Sequence, residues 1–295
     1  MNNEQEFINL VVEDINIPNN FNFNKRCEEL ISSVLKDSEL SSEPEEVITR
    51  FIKTYAKPCY EMEIVEGVPT PTDSSIGGIP YVPTGESIPT DEDGNPMLLF
   101  VQLNLEGTNL PGYPSKGILQ VFLSTKHDDM LDSYEVKYYD TITDDYQKDI
   151  VITDEQREDG LVKGDPIKIK LVESISVMPT GYSLNPDFGK AILPIYNNVM
   201  KTNYEDYEDL DGDEYEQIEE LLFEFSEMTP DATFGGYAHN CQHDEYDYVE
   251  NEILIQVVDA FSDDMGLYGL IRTLITKENL KTGNVTNVDV DWMCD

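Results

Sequence analysis

Three side chains with metal-binding or nucleophilic chemistry alternate between His239 and His243. On a β-strand, His239, Cys241 and His243 would point to one face and could supply three ligands to zinc. The same side chains could form a thiolate nucleophile with a histidine base. The alternative is a row of half-buried strand residues, and nearby carboxylates would raise the thiol pKa instead of lowering it. We predict no metal, no cofactor and no catalytic residue here.

A second cluster resembles the beginning of a calcium-binding loop. Asp209, Asp211 and Asp213 alternate there as calcium ligands do. The sixth position of an EF-hand loop must be Gly, but Glu214 occupies it in this chain. The cluster therefore predicts an acidic helix start, with Asp211 as its capping residue.

Glutamines recur in apolar segments, at positions Gln102, Gln120, Gln242 and Gln256. A buried glutamine needs hydrogen-bond partners for its amide group. Two interpretations stay open: a polar network inside a sheet, or the lining of a small-ligand pocket. The candidate pocket residues are Gln102, Gln242, Asp244 and Gln256.

The elements that must position these side chains follow from periodicity and turn residues. Residues 25–37 and 43–55 have apolar residues at helical spacing and predict an N-terminal helix pair. From Tyr60 the pattern changes to strands and turns. It predicts strands at 98–105, 117–123, 168–176, 253–258 and 267–274 and one helix at 213–226. We expect an α+β fold with a largely antiparallel sheet, the helix pair and one acidic helix.

A weak internal repeat suggests duplication. Gly77-Gly78 precedes an apolar strand containing Gln102 and then a strand led by Gly117. Gly235-Gly236 precedes an apolar strand containing Gln256 and then a strand led by Gly266. If both segments descend from one unit, the two halves should pair around a pseudo-twofold axis.

Bulk composition restricts domain organisation and location. With 295 residues, 39% of them hydrophobic, the chain can bury a sizeable core. We predict one domain over 1–295, with a helical segment at 1–59, a first sheet half at 60–180 and a second half at 181–295. The N-terminal residues lack the basic and apolar regions of a secretory signal, and no apolar run is long enough to span a membrane. We expect a cytoplasmic protein.

The glycine, glutamine and strand segments also resemble the YwqG-like family of bacterial proteins, which is classed as a domain of unknown function. The similar segments occur in family order at 74–83, 94–97, 100–104, 117–122, 235–237, 242–244, 254–256, 264–266 and 292–294. The resemblance implies an α+β fold with antiparallel sheet and no established activity. Some relatives look like neighbours of bacterial toxin genes, which implies immunity to a toxin as a hypothesis.

Acidic charge is the most uneven property of the sequence. The formal net charge is -41, and residues 202–271 contain 21 Asp and Glu with no Lys or Arg. Such a balance argues against direct binding to nucleic acid or to anionic membranes. It favours a basic protein partner, attracted by long-range electrostatics.

We therefore predict a noncatalytic protein of the toxin-immunity or nuclease-inhibitor type, with imitation of nucleic acid as its means of binding. Its acidic tract covers residues 202–264. The predicted partner-binding residues are Tyr204, Glu205, Asp206, Tyr207, Glu208, Asp209, Asp211, Asp213 and Glu214. The alternative is an enzyme or small-ligand-binding protein with a site between the two glycine and glutamine repeats.

Overall fold

The structure is a computed structural model that describes residues 21–36, 38–124, 133–153, 156, 164–180, 187–239, 251–261 and 269–293. These residues divide into two compact units. The helical unit contains the described residues of 1–59, 173–230 and 236–245, and the sheet unit contains those of 60–172, 231–235 and 246–295. The single domain over 1–295 stays a prediction.

The described part of the helical unit begins with the predicted helix pair. Helix α1 covers Phe23–Leu35 and helix α2 covers Ser42–Tyr55. Helix α1 buries Phe23, Cys27, Ile31 and Val34, whose spacing places them on one face. Helix α2 buries a similar stripe that ends at Tyr55. The prediction of an N-terminal helix pair is confirmed.

Two further helices lie in the described part of the helical unit. Helix α3 covers Phe188–Met200, and helix α4 covers Asp213–Glu227. Helix α4 confirms the acidic helix predicted at 213–226, although its N-cap is Gly212 and Asp211 does not cap it. The prediction of strands and turns from Tyr60, with one helix at 213–226, missed helix α3, because Gly189 and Pro194 interrupt its helical pattern.

The sheet unit carries most of a ten-stranded sheet and a short helix, while the first three residues of β1 and the last four of β6 belong to the helical unit. Its strands are β1 Lys57–Ile64, β2 Ser75–Ile76, β3 Leu98–Asn104, β4 Ile118–Leu123, β5 Tyr134–Tyr139, β6 Ile167–Ser176, β7 Ala232–Gly235, β8 Asn251–Val258, β9 Leu270–Thr276 and β10 Asp289–Met293. Helix α5, Lys277–Thr282, joins β9 to β10. The strand order is β10-β9-β8-β7-β1-β6-β2-β3-β4-β5.

That order is symmetric about the central pair β1 and β6, which supports the predicted duplication. Strands β2 to β5 pair antiparallel in sequence order on one side, and β7 to β10 do so on the other. Strands β3 and β8 each have a register shift, between Leu99 and Val101 and between Ile253 and Ile255. The Tyr134 hydroxyl donates to the Val288 carbonyl at 3.2 Å, so the first residue of β5 contacts the residue before β10.

Local contacts repeat as well. The Ser75 hydroxyl donates to the Gly77 carbonyl at 2.9 Å, and the Thr233 hydroxyl donates to the Gly235 carbonyl at the same distance. One expected correspondence differs. Strand β9 begins at Leu270, so the counterpart of Gly117 before β4 is Gly269, and Gly266 lies outside the described residues. In this register Arg272 corresponds to Gln120.

Candidate functional site

The first part of the acidic tract, residues 204–227, is built from a short turn followed by a helix. The Asp206 carboxylate accepts a hydrogen bond from the Glu208 backbone N–H at 3.1 Å and so caps the 3-10 turn Tyr207–Asp209. Helix α4 then begins with Asp213, Glu214 and Glu216 in its first turn. Carboxylates there interact favourably with the positive end of the helix dipole.

The carboxylates of this segment face solvent. We use "acidic surface" for the exposed side chains Glu205, Asp206, Glu208, Asp209, Asp211, Asp213, Glu214, Glu216, Glu220, Glu224 and Glu227. Residues 202–271 contain no Lys or Arg. Within the described part of the chain, no Lys or Arg from elsewhere forms an ion pair with these carboxylates. Their charge is therefore not compensated within that part of the protein.

Two tyrosines of the tract, Tyr207 and Tyr215, point inward, which the sequence did not indicate. The Tyr207 ring packs edge-on against Phe188 at 5.8 Å between centroids, and its hydroxyl donates to the Glu219 carboxylate at 2.7 Å. Gly189 lacks room for a side chain because a Cβ there would lie 2.7 Å from the Tyr207 ring. Tyr215 is buried against Tyr207. These rings attach residues 207–215 to helices α3 and α4, so the side chains exposed between residues 205 and 216 are carboxylates.

A single amide also secures the beginning of the tract. The Asn197 side chain donates to the Tyr204 carbonyl and accepts from the Tyr204 N–H, both at 2.9 Å. Tyr204 also packs against Tyr196. Sequence reasoning missed Asn197, because Gly189 and Pro194 obscure the helix on which it lies.

The buried phenols stay neutral near physiological pH. Burial is the main cause that raises the pKa of Tyr207 to about 12, and the Glu219 carboxylate also raises it. Burial likewise raises the pKa of Tyr215, with a smaller contribution from Tyr207. The negative charge of the region therefore comes from its carboxylates, and the Tyr207 hydroxyl remains a hydrogen-bond donor.

The predicted pocket residues have different positions. Gln102 is fully buried, and its Nε2 donates to the carbonyls of Pro71 at 2.9 Å and Asp73 at 2.7 Å. Its Oε1 accepts from the Tyr81 N–H at 2.9 Å and from Gln120 Nε2 at 2.6 Å. These bonds use both amide hydrogens and both lone pairs of Gln102, so it holds the 71–81 segment on the sheet.

Gln256 belongs to the equivalent row of the other half. It is fully buried, lies opposite Thr233 and Arg272, and donates to the Thr233 hydroxyl at 3.1 Å. Arg272 in turn forms an ion pair with Asp291, with Nη2 and Oδ2 2.6 Å apart. Gln242 and Asp244 lie outside the described residues, so their place in a pocket stays a prediction.

The histidine and cysteine cluster is described only at its first member. The His239 ring lies with Nε2 3.1 Å from the Pro230 carbonyl, and Cys241 and His243 lie outside the described residues. Among the described residues, no group of three His, Cys, Asp or Glu is arranged to hold a metal ion. Elsewhere, burial is the main cause that raises the pKa of Cys27 to about 11, which makes this thiol a poor nucleophile.

Comparison with known proteins gives a family and no activity. The model of a family described as "Domain of unknown function (DUF1963)" matches residues 74–294. No curated protein matches the chain. Within the described residues, no helix combines the length and apolar character that crossing a membrane requires.

Proposed function

The chain belongs to the DUF1963 family of unknown function, and we propose that this member is a noncatalytic protein that binds a basic protein partner through its acidic surface. The single observation that supports this proposal is the uncompensated exposed charge of residues 205–227. Like charges held close together destabilise the folded chain. A basic partner would offset that cost on binding.

The partner class that fits best is a nuclease or a nucleic-acid-cleaving toxin. Such proteins bind phosphates through Lys and Arg. Helix α4 exposes Glu216, Glu220, Glu224 and Glu227. With a rise of about 1.5 Å per residue, carboxylates four residues apart are spaced by about 6 Å along the helix. A row of regularly spaced negative charge is also what a phosphate backbone offers, so the helix would cover a phosphate-binding groove.

The finer identity belongs to the same proposal. The family segments resemble YwqG-like proteins, so we place the chain in a bacterium or phage, in the cytoplasm, as an immunity protein or inhibitor. The alternative of an enzyme or small-ligand site between the repeats would use Gln102. Its amide is already fully hydrogen bonded, which leaves it no free donor or acceptor for a ligand.

The test is capture of a basic nuclease by the immobilised chain at low and high salt. We expect binding that weakens steeply as salt rises, because the contacts are electrostatic. The variant that combines Glu205→Lys, Asp206→Lys, Glu208→Lys and Asp209→Lys should lose the nuclease at low salt.

The matched control reverses as many exposed charges in the sheet unit, with Glu66→Lys, Glu92→Lys, Asp144→Lys and Asp149→Lys. It changes net charge equally and should keep most of the affinity. Equal affinity of the tract variant and the unmodified chain would refute the proposal. Equal losses in both variants would show attraction to overall charge without a defined surface.

A further inference from the structure

A cleft in the helical unit lies at the end of helix α4. It has a volume of about 280 Å³, and its walls include Leu30 and Ser33 of α1, Ile175 of β6, and Phe225 and Met228 at the end of α4. That volume is just below the range of about 300–1,000 Å³ for pockets that hold drug-sized ligands. It suits a large side chain better than a whole cofactor.

The cleft continues the exposed side of helix α4. Residues four apart on a helix lie above one another, so Glu220, Glu224 and the C-capping Met228 form one line. Met228 is 52% exposed and Phe223 is 45% exposed. Large apolar side chains are thus exposed where the acidic surface ends. Apolar anchors surrounded by charge are typical of the strongest contacts in protein interfaces.

Charge at the mouth of the cleft selects the occupant. Arg26 and Glu29 line the cleft, and the Glu29 carboxylate is shared between Arg26 Nη1 at 3.3 Å and Lys25 Nζ at 3.1 Å, so the negative charge beside the cleft comes from helix α4 and not from α1. The C-terminal end of α4 is the negative end of its dipole. A second copy of this chain would bring another net charge of -41 to the same place. Repulsion between copies disfavours self-association.

From this arrangement we infer that the cleft receives one large apolar side chain of the basic partner, with the flanking Lys and Arg of that partner on Glu220, Glu224 and Glu227. The inference rests on the proposed function and adds the partner's chemistry. The recognised segment is basic and carries a central apolar anchor. The carboxylates attract the segment, and the cleft determines its register.

The test uses two synthetic peptides of Lys and Arg, labelled with a fluorophore, one with a central Leu and the other with Ala in its place. Fluorescence polarisation with the full chain measures both dissociation constants at one salt concentration. We expect the Leu peptide to bind about tenfold more tightly, because burial of the longer side chain adds apolar contact.

Two substitutions on helix α1 distinguish blocking of the cleft from other effects of an added Trp ring. Ser33→Trp fills the cleft and should abolish the difference between the peptides, whereas Ser32→Trp places the same ring on an exposed neighbour and should preserve it. If Ser33→Trp lowers the melting temperature, Met228→Ala provides a second route. It removes one apolar wall and should reduce the tenfold preference.

The outcomes distinguish the inference from the proposed function. Both peptides could bind equally, with salt-sensitive binding that Glu220→Lys and Glu224→Lys weaken. That result would overturn the inference that the cleft receives an apolar side chain, but it would agree with the proposed function. Absence of binding by both peptides would also refute a binding role for the cleft. Capture of the nuclease would then test the proposed function separately. Self-association of the chain that Ser33→Trp abolishes and Ser32→Trp does not would assign the cleft to a second copy and overturn the inference.

Discussion

At the scale of single residues, polar side chains in apolar strands had two possible explanations, and contacts distinguish them for Gln102. The need for partners follows from residue type, because an unpaired buried amide costs free energy. The identity of those partners does not. Pro71, Asp73 and Tyr81 lie between 21 and 31 residues from Gln102 in the chain, and only the folded structure brings them to it.

Gln102→Leu should destabilise the protein strongly. The substitution leaves the buried Tyr81 N–H and the half-buried carbonyls of Pro71 and Asp73 without these hydrogen bonds. At about 1–3 kcal/mol for each unsatisfied group, we expect the free energy of unfolding to fall by about 4 kcal/mol. Equilibrium unfolding in guanidinium measures the change.

The control for that substitution is Gln217→Leu, on the exposed side of helix α4. It exchanges the same residue types and should alter the free energy of unfolding by less than about 0.5 kcal/mol. If Gln102→Leu lowers the free energy of unfolding by less than about 1 kcal/mol, the hydrogen-bond network contributes little to stability. That result would favour the interpretation of Gln102 as a pocket residue.

At the scale of elements, periodicity predicted helices α1, α2 and α4 because their buried faces repeat without interruption. Helix α3 escaped prediction since it contains Gly189 and Pro194. The Tyr207 ring packs against Gly189 and leaves no room for a side chain there, so the glycine is explained by tertiary packing and not by local periodicity. The repeat of two glycine-led strand sets predicted the symmetric sheet, although the last glycine was matched three residues too early.

Gly235→Ala should lower the free energy of unfolding more than Gly107→Ala, where only backbone strain opposes a side chain. Gly235 has φ of +79°, and a Cβ there would lie 2.5 Å from the buried Leu110 side chain. Gly107 has φ of +89° with nothing within 4 Å. We expect a loss of about 1 kcal/mol for Gly107→Ala from backbone strain alone. For Gly235→Ala we expect about 3 kcal/mol, since crowding adds to strain.

Urea unfolding of both variants measures the loss from backbone strain alone at Gly107 and the loss from strain plus crowding at Gly235. Equal losses would mean that Leu110 moves aside without cost, and the close approach at Gly235 would then have no energetic role. A larger loss at Gly235 supports tight packing between the end of β7 and the 105–117 segment of the sheet unit.

At the scale of the whole molecule, charge dominates. The net charge is -41, and the acidic surface has no ion pair to Lys or Arg within the described residues. Family membership covers residues 74–294 and includes this surface, yet it assigns no activity. The proposed function depends on the charge of this member's own residues.

Salt should stabilise the folded chain, and neutralisation of helix α4 should remove part of that effect. The combined variant Glu216→Gln, Glu220→Gln and Glu224→Gln removes two like-charge pairs four residues apart. Each pair costs about 0.2–0.5 kcal/mol. At about 0.01 M NaCl, where the Debye length is about 30 Å, we expect the variant to have the higher melting temperature.

The difference should nearly vanish at about 1 M NaCl, where the Debye length is about 3 Å. Calcium chloride at matched ionic strength is the control. Equal stabilisation by both salts indicates screening, and a much larger rise in melting temperature with calcium would indicate a specific cation site. A variant that melts below the unmodified chain at low salt would contradict self-repulsion on helix α4.

The sequence by itself determined the α+β class, the helix pair, the acidic helix and the duplicated strand sets, because local periodicity depends on neighbours in the chain. It also determined the charge imbalance, which is a matter of composition. Tertiary structure decided that Tyr207 turns inward to Phe188 and Glu219, that Gln102 binds backbone groups, and that a cleft lies beside Met228. Each of these depends on packing between residues that are distant in sequence, and packing between distant residues leaves no periodic pattern along the chain.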